Sequence, residues 1–167
     1  MVEEKPEIIK IVIPEFMTHV NKSKTKYLKI NGQNLYNGSL HYISRAKMVK
    51  QMHDYVKPFI DKELKGRDLS RLYPLSISLE LHVPLNYGNV RMLKTGISWK
   101  PVRDDYIATW DADNLWIWGK IFNDSLTEGG YIEDDSVSFV TNSGGVKFRE
   151  IDNLKDRKLV FIISKDV

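Results

Sequence analysis

From Leu75 to Val83 the chain alternates without a break: Leu75, Ile77, Leu79, Leu81 and Val83 are apolar, and serine, glutamate and histidine lie between them. A period of two puts the apolar set on one side of a strand and the polar set on the other, as in a half-buried strand. Such a strand must bury its apolar face against other elements. Two segments repeat at helical spacing. Met48, Met52, Tyr55, Val56 and Phe59 predict a helix over about 45–63 with Ser44 as its N-cap, and Pro58 removes one backbone hydrogen bond from its second half. Leu115, Trp118, Phe122 and Leu126 predict a helix over about 114–126, ended by Gly129-Gly130.

The remaining segments are shorter. Glu7–Pro14 is a β-branched run closed by proline and predicts a first strand. Residues 15–41 are basic, with Asn31-Gly32 and Asn37-Gly38 as turn signals, and predict a loop or hairpin; residues 1–6 are expected to be disordered. Residues 86–103 are expected to be a basic connector, and Tyr106–Trp110 a short strand leading into Asp111. Tyr131–Val140 and Val146–Ile151, separated by Asn142-Ser-Gly-Gly145, predict a hairpin, and Lys158–Ser164 a last strand. With no repeat or internal boundary in 167 residues, the expectation is one α+β domain over 1–167, a mixed sheet with two principal helices packed on it.

Composition removes several chemistries. Without cysteine there is no disulfide, thiol nucleophile or Cys-ligated metal. No apolar stretch approaches the ~20 residues that span a bilayer, and the acidic Met1–Glu7 lacks a signal-peptide core, so a soluble protein without a membrane partner, located in the cytoplasm, is expected. His19, His41, His53 and His82 lack metal-ligand spacing and read as structural or surface residues. Neither a phosphate-binding glycine loop nor a dinucleotide fingerprint is present, which excludes a nucleotide cofactor of those kinds. Asp111-Ala-Asp113-Asn114 opens like a calcium loop, yet Trp116 stands at the sixth position, which needs glycine, and Phe122 at the twelfth, which needs glutamate.

Charge is divided unevenly. Residues 1–103 carry 18 Lys/Arg and 9 Asp/Glu, a balance of +9; residues 104–167 carry 7 and 13, a balance of −6, which together make the net +3. Lys120 is the one base among nine acids in 104–135. Such a run is ordinarily a solvated face; alternatively its carboxylates converge on a cation while the basic part meets a polyanion. Asp111 and Asp113, two apart at a strand end, can point the same way, although Asp113 also suits an N-cap. Asp134-Asp135, at the start of the next predicted strand, can return to the same edge. Clustered carboxylates raise one another's pKa unless a cation such as Mg²⁺ relieves them. Lys120, two helical turns beyond Asp113, can touch a phosphate there or pair with Asp124 at i+4. Trp118 reads as core, and Trp110 and Trp116 as either internal or base-contacting.

Asp111-Ala-Asp-Asn-Leu115, Lys120, Asp124, Leu126, Gly130, Asp134-Asp135 and Val137 resemble the signature of the RusA-like Holliday-junction resolvases. The resemblance is close over the 27 residues from Asp111 to Val137; the rest agrees in layout only, and the interval from Leu115 to Lys120 is longer than in the family's compact form. It implies a homodimeric, Mg²⁺-dependent endonuclease acting on branched DNA such as a four-way junction, often encoded by phages or prophages. Mn²⁺ is expected to substitute. Carried over, Asp111, Asp113 and Asp135 become essential metal ligands with Asp134 beside them, and Lys120 the catalytic or phosphate-contacting lysine. Lys22, Lys24, Lys26, Lys29, Arg45, Arg91, Lys94, Lys100 and Arg103 would grip the phosphate backbone. Two other readings stand beside this one: a non-catalytic branched-DNA-binding module of the same fold, and an acidic-surface protein-interaction module that binds no metal.

Overall fold

The computed structural model describes residues 7–14, 41–84, 86–95, 98–106, 116–153 and 156–167, with backbone alone over 86–95 and 98–106. In chain order the elements are β1 (Ile8–Pro14), α1 (Tyr42–Leu64), a 3-10 turn (Ser70–Leu72), β2 (Leu75–Val83), β3 (Asn86–Thr95), β4 (Ser98–Tyr106), α2 (Ile117–Glu128), β5 (Val140–Glu150) and β6 (Lys158–Lys165). Four strands form one mixed sheet in the order β1-β6-β2-β5: β6 runs antiparallel to both β1 and β2, and β5 runs parallel to β2. The chain is therefore one α+β domain, a mixed sheet with two helices.

The alternation in β2 has the expected consequence. Leu75, Ile77, Leu79, Leu81 and Val83 are all buried, while the residues between them are half-buried. Ile9, Ile11 and Ile13 of β1 and Leu159, Phe161 and Ile163 of β6 complete the same inner face. Both helices belong to this core. α1 supplies Met52, Val56, Ile60 and Leu64, spaced by four so that they form one stripe. α2 supplies Ile117, Trp118, Ile121, Phe122 and Leu126. Trp118 is core, as its spacing predicts; Trp116 lies over Gly119, where an added Cβ would come within 2.5 Å of the indole ring.

Several expectations are corrected. α1 starts at Tyr42 rather than 45: Ser44 is inside the helix, and the His41 side chain caps it by accepting from the Ile43 N–H at 3.4 Å. Pro58 sits within α1 without ending it, because Val56 before it and Ile60 and Leu64 after it are all anchored in the core. Residues 86–95 and 98–106 pair as a two-stranded antiparallel sheet, not a connector, with Asn86 opposite Tyr106 and Thr95 opposite Ser98. Pro101 of β4 stands opposite Met92 of β3. The strand expected over Tyr106–Trp110 instead ends at Tyr106 as β4, and residues 107–110 lie outside the described residues.

The expected hairpin over 131–151 is also absent. Tyr131–Phe139 forms turns, and β5 then runs unbroken through Asn142-Ser-Gly-Gly145. Opposite Ile77 and Leu79 of β2 stand Ser143 and Val146, so β5 holds an extra residue there. Gly144 at φ 126° and Gly145 at φ 81° accommodate this bulge. A glycine pair permits a bulge as readily as a turn. The choice was made by pairing with β2.

Candidate functional site

α2 places Lys120 and Asp124 on one side of the helix, Nζ 3.8 Å from Oδ2. Lys120 is largely exposed and Asp124 about one-third exposed. Burial is the main force on the Asp124 carboxyl and pushes its pKa above the usual carboxylate value; the Lys120 charge opposes this, and the Asp135 charge adds to it. His53 and Glu128 act on it as well, in opposite directions. Asp124 thus senses both the motif lysine on its own helix and a motif aspartate in the following turn.

The turn is built by the end of α2. Gly130 adopts φ 71°, its N–H donates to the Thr127 carbonyl, and the Tyr131 N–H reaches back to the Leu126 carbonyl, both at 3.0 Å. This paired arrangement is a Schellman cap, and it reverses the chain after the Gly-Gly signal. Beyond it, the Tyr131 hydroxyl donates to Asp61 Oδ1 of α1 at 2.5 Å, and the Tyr131 carbonyl accepts from the Leu69 N–H at 3.0 Å. The Glu133 N–H donates to the Tyr73 hydroxyl at 2.9 Å. Asp134 and Asp135 follow, both exposed, and the Asp135 N–H donates to Asp134 Oδ1 at 2.9 Å. They lie in this turn and not at a strand start, since β5 begins only at Val140.

α1 adds His53. Its Nδ1 is 2.9 Å from Ser125 Oγ, and the Ser125 hydroxyl donates its proton to the Ile121 carbonyl at 2.7 Å. With that proton committed, Ser125 is left to accept, so the histidine carries hydrogen on Nδ1. Glu128 Oε2 lies 3.8 Å from the same nitrogen. Nothing in the sequence pattern ties His53, Tyr73 or Asp61 to this place; each is brought by packing between segments far apart in the chain.

The other predicted residues divide clearly. Asp111, Asp113, Lys22, Lys24, Lys26 and Lys29 lie outside the described residues, although Asp111 and Asp113 stand shortly before Trp116 and α2 in the chain. Arg45 is half-buried in the first turn of α1. Arg91, Lys94, Lys100 and Arg103 occupy the β3–β4 pair, at positions opposite Val102, Trp99, Leu93 and Val90.

Carboxylate oxygens are the donors that a hard cation takes, so the chemistry of Asp134, Asp135 and Asp124 suits Mg²⁺ or Mn²⁺. Among the described residues no three histidines, cysteines or carboxylates are grouped as a metal would need. Two of the four predicted ligands are not among those residues. No helix among the described residues is long and apolar enough to cross a membrane. No protein-family model and no curated protein matches the chain.

Proposed function

We propose that this protein is a divalent-metal-dependent, structure-selective DNA endonuclease that resolves Holliday junctions by paired phosphodiester hydrolysis. The observation that carries the reading is Asp124, which lies 3.8 Å from Lys120 and also feels the charge of Asp135. These are three residues of the resolvase-like signature, and they come from a helix and from the turn after it.

In this reading Asp134 and Asp135, with Asp111 and Asp113, hold Mg²⁺, or Mn²⁺ in its place. When bound, such an ion supplies activated water and neutralises charge on the scissile phosphate. Lys120 adds a donor toward the negative charge that develops on the phosphate oxygens. Asp124 restrains that lysine from one turn away. The basic residues of the amino-terminal part and the β3–β4 pair hold the phosphate backbone, so affinity falls steeply with salt. A homodimer offers two such sites to the opposed strands of a four-way junction, whose approximate two-fold symmetry matches its own. The expected setting is the cytoplasm.

The test is cleavage of a labelled four-way junction beside a matched linear duplex, with and without Mg²⁺, for the wild type, Asp113→Asn and Asp135→Asn. Symmetric, metal-dependent nicks that vanish in both variants while junction binding persists support the reading. Binding without cutting in the wild type replaces it with a non-catalytic DNA-binding module.

A further inference from the structure

We infer that Tyr73 is a positioning residue for the Asp134-Asp135 carboxylate pair; this rests on the metal-dependent reading above. Neither aspartate belongs to a helix or a strand, and both are exposed. A carboxylate that ligates a cation must nevertheless hold its oxygens in place, and groups outside the ligand set commonly provide that restraint.

The residues on either side of the pair show where the restraint comes from. On the amino-terminal side, the Glu133 N–H donates to the Tyr73 hydroxyl at 2.9 Å. On the carboxy-terminal side, the ring of Phe139 packs against the ring of Tyr73, with centroids 5.1 Å apart and planes at 59°. One side chain therefore grips the chain immediately before Asp134 and again four residues after Asp135. The segment between is closed by the Phe139 N–H donating to the Ser136 carbonyl at 2.9 Å.

Tyr73 is itself well held. Its N–H donates to the Ser70 carbonyl at 3.1 Å, and two residues later the Leu75 N–H donates to the Phe139 carbonyl at 2.8 Å as β2 begins. The hydroxyl is thus referenced to the buried strand at the centre of the fold. Tyr131 performs the complementary task at the other end of the turn. Its bonds to Asp61, Leu69 and Leu126 fix where the turn leaves α2, but they stop two residues short of Glu133. Tyr73 supplies a side-chain contact at Glu133, next to Asp134, from outside the turn.

Tyr73→Phe removes the hydroxyl and keeps the ring against Phe139, so it separates positioning from packing. The exposed Tyr42, changed to phenylalanine, serves as the control. The full-length protein is titrated with Mn²⁺ while paramagnetic broadening of the backbone amide signals of 133–136 is followed by NMR. Junction cleavage is measured over the same Mn²⁺ range. For Tyr73→Phe, half-saturation should need about tenfold more Mn²⁺ in both measurements, the lower end of what loss of a ligand-orienting partner produces. Its rate at saturating Mn²⁺ should approach that of the wild type, and its unfolding midpoint should stay close. Half-saturation unchanged from the wild type overturns the positioning role and leaves the metal reading intact. Absence of broadening in the wild type overturns the metal reading, and this inference with it.

Discussion

The ring of Phe122 lies flat on that of Phe161, with centroids 3.9 Å apart and planes within 4° of parallel. Phe122 is on α2 and Phe161 on β6, both fully buried, so this stack seats the helix that carries Lys120 and Asp124 on the middle of the sheet. Truncating Phe122 to alanine opens a cavity between α2 and the sheet, where both rings are fully buried. The expected loss is about 3–5 kcal/mol. Urea unfolding monitored by circular dichroism should show a lower midpoint at an unchanged slope.

Gly130 stands at φ 71°, and a Cβ there would meet nothing within 4 Å. Gly130→Ala therefore brings no collision, only the left-handed backbone penalty of roughly 1–2 kcal/mol. Gly130→Asn should be milder, since asparagine visits that region more readily. Thermal unfolding of the two variants beside the wild type tests this ranking. An equal loss in both would show that the Schellman cap is not what the substitutions disturb.

Asp124 gives a pH signature. Its pKa is raised in the folded protein, chiefly by burial, so folding favours the protonated form. That contribution is fully present below the ordinary value of 3.8 and is lost as pH rises through the raised value. Asp124→Asn has no such titration. Its stability relative to the wild type should grow from acid toward neutral pH, as read by chemical denaturation at a series of pH values. A pH-independent difference would mean that the ionised carboxyl is not penalised in the fold.

Glu80 works in the opposite sense. On the polar face of β2 its Oε2 lies 3.0 Å from His82 Nε2, and its Oε1 accepts from Arg149 of β5 at 3.1 Å. The His82 hydrogen bond, with help from Arg149 and against burial, holds the Glu80 carboxyl below its ordinary 4.5. Its stabilising contribution is therefore present above that value and is lost as pH falls through the depressed one. Glu80→Gln should lower stability at neutral pH and flatten the acid limb of the stability curve. Denaturation midpoints between neutral and acid pH would reveal an unflattened limb if the pairing contributes nothing.

Local signals were legible where one residue type had one local use. The alternation of Leu75–Val83, the helical repeat of Trp118, Phe122 and Leu126, and the stop at Gly129-Gly130 each describe a few neighbouring residues, and each appears in the structure. Legibility failed where a local signal permitted two outcomes. Asn142-Ser-Gly-Gly145 suits a hairpin turn and became a bulge in β5. The basic run after Asn86 lacks a clear period and became β3 and β4. For the candidate site, Lys120, Asp124 and Asp135 could be singled out as a set, whereas His53, Tyr73 and Asp61 could not.

The apolar faces of β2, α1 and α2 and the end of α2 were thus written in the chain, because those properties follow from side chains within a turn or two of backbone. The tertiary structure alone decided that β2 lies between β6 and β5, that β5 runs parallel to it, and that Tyr73 meets Glu133. Strand partners are selected by the apolar surface that whole elements bury together and by the need to pair every buried N–H and C=O. Those demands act between residues far apart in the chain, where no local pattern records them.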